Sequence, residues 1–173
     1  MRSLFLTILF VVLCHSTMGD DLVQQACKKA ADGDKALNYN FCVSTLEASP
    51  GSKGADLAGL VGIALDLTTK KATSIKSTIT KLQSDPKVDK SALQDCAELF
   101  SDALDSLGQA TSAFKSKDYG SALTQLSASL DAPDTCETGF KEKKAVSPLS
   151  KDDADCTQLN IICLAFINQL RGA

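Results

Sequence analysis

Histidine is almost missing from this chain, and tryptophan is missing altogether. The one histidine, His15, lies in the opening stretch, together with Met1 and Met18. That stretch reads as a leader, so the mature chain is expected to carry no imidazole. Without one it cannot run Ser-His-Asp or Cys-His chemistry, and it cannot build a His-ligated zinc site. No Cys-x-x-Cys pair occurs, which sets aside a zinc ribbon or a thioredoxin-type centre. No Asn-x-Ser/Thr sequon occurs either, so N-glycosylation is not indicated. Strand signals are absent throughout: there is no alternating run and no hairpin dipeptide between apolar segments. The sequence therefore assigns no catalytic residue, no cofactor-binding residue, no metal ligand and no cofactor.

The leader has the parts such segments need. Arg2 is a positive start, and Leu4 to Cys14 is a largely apolar run. That run is too short for a bilayer core of about 30 Å. Thr17-Met18-Gly19 places small residues before a cleavage point at Asp20. Residues 1–19 are read as a signal peptide and 20–173 as the mature domain, which is then secreted to the extracellular space with no membrane contact after cleavage. No lipidation or retention signal follows. A mature chain of this length suits one domain with a real core.

Charge narrows the partner. Without Arg2 the chain has 17 basic and 21 acidic residues, a net charge of −4. A mildly acidic protein with few aromatic platforms suits a basic protein partner and not nucleic acid.

The periodicity is helical from end to end. Leu22, Val23, Ala26, Cys27 and Ala30 share one face, and Tyr39, Cys42, Val43 and Leu46 share another beyond the Asp32-Gly33-Asp34 turn. These two short helices make an α-hairpin over 20–50, which makes Cys27 and Cys42 natural partners. A long helix capped by Asp56 runs to about Gln83, with Leu57, Leu60, Val61, Ala64, Thr68, Ala72, Ile75, Ile79 and Leu82 in its stripe. Its Lys70, Lys71, Lys76 and Thr80 read as a solvated face. The next helix, about Asp89 to Phe114, repeats Leu93, Phe100, Leu107 and Phe114 every seven residues, the a/d pattern of a bundle. Those phenylalanines read as core. Asp118 caps a third long helix with Tyr119, Ala122, Leu126 and Leu130 in its stripe. Pro133 is expected to bend or reset it, with Asp131 as a possible new cap. A last helix runs from about Lys151 to Leu170, with Ser150 and Asp153 resembling a capping box. The expected fold is all-α: an up-down-up-down four-helix bundle over 56–173 with an N-terminal α-hairpin.

Six cysteines remain after cleavage, with 15 possible pairings if all are bridged. A Cys96–Cys136 bridge would staple the second bundle helix to the third. Cys156 and Cys163 stand seven apart on one helix, about 10 Å of rise, beyond the roughly 7 Å reach of a disulfide. They read first as free thiols serving as small hydrophobes, with fraying of the first turn at Cys156 or an intermolecular disulfide as the alternatives. Asp152 and Asp153 could suggest the paired carboxylates of a glycosidase. Adjacent acids in a first turn serve the helix dipole instead. Bundles can also serve as small-ligand carriers or storage-type proteins, but here the core layers are already filled by Leu, Phe and Ala.

Taken together, these residues resemble the plant invertase and pectin methylesterase inhibitor family. The likeness rests on Cys27, Cys42, Cys96 and Cys136 at their spacing, on Asp118-Tyr119 with Ala122, on Leu126-Ser127-Ala128-Ser129-Leu130, and on Thr135-Cys136-Glu137 with Phe140. Within the family it leans towards pollen proteins described as invertase inhibitors, some of them allergens. The resemblance implies the bundle with its hairpin and the pairings Cys27–Cys42 and Cys96–Cys136. It also implies a secreted inhibitor, not an enzyme, that reversibly occludes the active site of pectin methylesterase or acid invertase. Invertase inhibitors of the family can carry a Pro-Lys-Phe motif before the third bundle helix. Here Lys117-Asp118-Tyr119 stands in that region, with no proline. Tyr119 is the candidate contact, with Lys115, Lys117 and Asp118 around it.

Overall fold

The computed structural model describes residues 22–172. The proposed signal peptide and its cleavage point lie outside those residues. Six helices follow in order: α1 over 22–33, α2 Tyr39–Glu47, α3 Leu57–Leu82, α4 Lys90–Lys115, α5 Tyr119–Glu142 and α6 Ser150–Arg171. No strand occurs among the described residues.

Aspartates start three of the four long helices. Oδ1 of Asp56 accepts from Gly59 N at 2.7 Å, Asp89 from Ala92 N at 2.8 Å, and Asp118 from Ser121 N at 3.1 Å. Each satisfies one of the backbone donors that a helix start leaves unpaired. Asn38 does the same for α2. The expected capping box at α6 is not formed. Leu149 occupies the cap position, where its hydrocarbon side chain offers no acceptor and is buried in the core. Ser150 Oγ instead donates to Glu137 Oε2 on α5.

The four long helices form a square. α3 packs on α4, α4 on α5, α5 on α6, and α6 back on α3. Short connections at 83–89, 116–118 and 143–149 make sequence neighbours antiparallel, the expected up-down-up-down order. Phe100, Phe140 and Phe166 fill the centre with Leu60, Leu93, Leu107, Leu126 and Ile75, all under 2% exposed. The sevenfold repeat of α4 is buried at Leu93, Phe100 and Leu107, and only half-buried at Phe114.

Pro133 neither resets nor ends α5, and Asp131 is an exposed interior residue, not a cap. Pro133 has no N–H for the turn before it. The helix runs through because Ala132 and Pro133 are both buried and Cys136, three residues on, is tied to α4. Cys96 and Cys136 are bonded with Cα atoms 4.9 Å apart, and Cys27 and Cys42 with Cα atoms 5.8 Å apart. Cys156 and Cys163 are free and buried.

The hairpin docks mainly on α6. Gln169 Nε2 donates to Ala26 O, Gln158 Nε2 donates to Ala36 O, and Gln158 Oε1 accepts from Asn38 N. These glutamines are eleven residues apart, three helical turns on one face. α6 thus carries neighbours on several sides, and all five residues from Leu159 to Cys163 are buried.

Candidate functional site

The four candidate contact residues lie together at the α4–α5 turn. α4 ends with Ser116 as its cap, and Lys117 takes the left-handed conformation at φ 62°. Lys117 N then donates to Phe114 O at 2.9 Å, and Asp118 N to Ala113 O at 2.9 Å. This is a Schellman turn with lysine where glycine is usual. Asp118 immediately caps α5, so one residue separates the end of one helix from the cap of the next. Hydrogen bonds from the Ser121 side chain and backbone hold the Asp118 carboxyl below its ordinary pKa. Lys115, Lys117 and Asp118 are exposed.

Tyr119 is half-buried. Its ring centroid lies 6.0 Å from that of Phe114, with the planes tilted by 33°. That spacing falls within the range of favourable aromatic pairs. The pair packs against the edge of the core. Tyr119 is therefore both a core-edge residue and a rigid aromatic at the tip of a charged turn.

The lysines of α3 are not all solvated, as the sequence suggested. Lys71 reaches across to α6 and binds Asp152 at 2.9 Å and Asp155 at 3.2 Å. Burial would lower its pKa, but these hydrogen bonds and charges outweigh burial and hold it above the ordinary value. Lys76 donates to Ser101 on α4. Both positions lie just beside the apolar stripe, where a long side chain can reach the neighbouring helix.

Two polar residues on α6 are buried where sequence polarity offers no reason to expect it. Asn160 Oδ1 accepts from Ser129 Oγ at 2.6 Å, and its amide donates to Cys156 O. Asp153, read as a dipole acid, is 1% exposed and faces Glu137 of α5. Positions 149, 153, 156, 160, 163 and 167 alternate by four and three, so helix phase alone places Asp153 and Asn160 inside.

No group of three or more metal-ligating side chains occurs among the described residues. No described helix is long and apolar enough to cross a membrane. A groove of about 700 Å³ separates the hairpin from α5 and α6, lined by Lys29, Asn168 and Gln169 as well as Leu123 and Leu164. It opens to solvent outside the packed core. The described residues thus form a disulfide-stapled helical bundle with a filled centre and a polar, ring-bearing turn at one end. The chain belongs to the plant invertase/pectin methylesterase inhibitor family, whose pattern matches residues 21–166. It is 44% identical over 167 residues to a protein of Platanus acerifolia named "Putative invertase inhibitor", covering 94% of this chain and 92% of that one. It is 31% identical over 183 residues to the "Pectinesterase inhibitor" of Actinidia deliciosa, covering 99% of this chain and 95% of that one. The crystal structure of a mutant pectin methylesterase inhibitor from Arabidopsis superposes with a TM-score of 0.69 at 27% identity. That match covers 82% of this chain and 92% of the other.

Proposed function

We propose that this protein is a secreted inhibitor of a cell-wall carbohydrate enzyme, pectin methylesterase or acid invertase, and that it blocks the target's active-site cleft reversibly. In this reading residues 1–19 are removed and 20–173 form the inhibitor domain. The observation that carries it is family membership across residues 21–166. The two named relatives divide between the targets, one called an invertase inhibitor and the other a pectinesterase inhibitor.

The α4–α5 turn is the proposed contact. Tyr119 is backed by Phe114, so little side-chain freedom remains to be lost on binding. Lys115, Lys117 and Asp118 surround it with polar rim chemistry, the arrangement common to binding hot spots. No chemistry by the inhibitor itself is involved.

A side-by-side titration against pectin methylesterase and acid invertase at mildly acidic pH tests the proposal. Nanomolar inhibition of one enzyme is expected, and nanomolar inhibition of neither overturns it. Tyr119→Ala is expected to weaken inhibition tenfold or more, about 1.4 kcal/mol. Tyr119→Phe retains the ring against Phe114 and isolates the hydroxyl.

A further inference from the structure

The seam between α5 and α6 holds a pair of acids that the inhibitor reading does not use. Glu137 on α5 and Asp153 on α6 line one groove between these helices, and their carboxyls act on each other. Both carboxyl oxygens of Asp153, and Oε1 of Glu137, are buried with no hydrogen-bond partner of the ordinary kind. Ser150 Oγ donates to the remaining Glu137 oxygen at 2.7 Å. Two ionised carboxylates have no hydrogen between them, so three buried acceptors would go unmet. One proton held between the two groups turns their contact into a hydrogen bond and removes one of two adjacent buried charges.

We propose that Glu137 and Asp153 share a single proton and form a pH-sensitive latch between α5 and α6, closed in acid and released when that proton leaves in mildly alkaline solution. The latch is a property of the bundle and needs no target enzyme.

The charged groups around the pair fit this assignment. From α5, Asp131, Asp134 and Lys141 border the same groove of about 410 Å³. From α6, Asp152 adds a neighbouring negative charge, but Lys71 of α3 holds Asp152 and Asp155. The connection before α6 contributes the Ser147 hydroxyl. The Cys156 thiol lies within electrostatic reach of Asp153 and is pushed up to about 12, chiefly by burial. Burial, then the hydrogen bond and charge of Glu137, push the Asp153 carboxyl up to about 8. Burial alone would raise Glu137 as well. The hydrogen bond from Ser150, the nearby Ser147 and Asp153 side chains and the charge of Lys141 hold it below its ordinary value instead. The two acids titrate as a unit.

The sign follows from proton counts. An aspartate in the unfolded chain loses its proton near pH 4. Between about pH 4 and 8 the folded chain holds one proton more than the unfolded one, so stability falls as pH rises through that window. The depressed carboxyl of Glu137 acts in the opposite sense, and its contribution is lost as pH falls below about 4. The latch is therefore firmest near the acid end of the window.

Thermal melting of the wild type and Asp153→Asn from pH 4.5 to 9 tests the latch. The wild-type Tm is expected to fall about 10 °C more than that of the variant, at a few degrees per kcal/mol for a domain of this size. The amide of the variant is uncharged and can donate to Glu137 at every pH. Carbon-detected NMR of the wild-type Asp153 carboxyl needs no variant and is expected to show a midpoint above pH 6. Parallel melting curves, or a carboxyl midpoint near 4, overturn the proposal. So does a rise in wild-type Tm on adding calcium chloride at pH 8 that Asp153→Asn abolishes, because the acids would then hold a cation in place of a proton.

Discussion

Lys117 and Lys144 occupy the same left-handed position after α4 and α5, at φ 62° and 54°. Each closes a Schellman turn: Asp118 N donates to Ala113 O, and Ala145 N to Phe140 O. A residue with a Cβ is strained there by about 1–2 kcal/mol relative to glycine. Lys117→Gly is therefore expected to raise stability by about 1 kcal/mol, read as a Tm increase of a few degrees. It is also expected to weaken inhibition, so the variant should be the stabler protein and the poorer inhibitor. Undiminished inhibition would remove Lys117 from the proposed contact. Asp118→Ala acts oppositely on stability: it deletes the cap bonded to Ser121 N and should lower the midpoint of a urea titration. The cap was legible in the sequence because aspartate before an apolar stripe has one main local use. The left-handed lysines were not, because neither position carries the glycine that usually signals such a turn.

Among the elements, α5 and α6 depart furthest from their sequence patterns. Pro133 argued for a break, yet α5 continues to Glu142. Local propensity lost to burial and to the Cys96–Cys136 tether. Opening that tether with Cys96→Ser and Cys136→Ser should remove about 4 kcal/mol, the chain-entropy figure for a loop of 40 residues. Urea denaturation would show it as a lower midpoint, accompanied by faster exchange of amides near Pro133. In α6 the three-and-four spacing puts Leu159, Ile162, Cys163, Phe166 and Ile167 on a buried face, with Leu170 only half-buried, but Asp153, read as a dipole acid, and Asn160 share its phase inside. A polarity-based reading assigns acids to the surface. Their burial depends on Glu137 and Ser129, residues of another helix that no local window contains.

For the whole molecule, the all-α class and the four-helix order followed from the three-and-four spacing and the short connections. The target did not, since Lys117-Asp118-Tyr119 names no pocket. Net charge bears on how a partner is met. The chain carries 21 acidic against 18 basic side chains. Encounter with a basic enzyme should therefore slow as salt is raised from about 20 to 200 mM, while dissociation changes little. Stopped-flow association rates at several salt concentrations measure this, and a flat profile would remove electrostatic steering from the binding mechanism.

Cys156 and Cys163 both serve the packing of α6, since each is buried and its thiol is pushed up to about 12. Their placement also bears on how the chain reaches its native bridges. Six exposed thiols in an oxidising compartment have fifteen complete pairings, whereas four have three. A sixth helix that packs before oxidation is complete withdraws two thiols from exchange, because the thiolate is the attacking form. In that order of events, burial of α6 shortens the search for the correct pairing as well as completing the core.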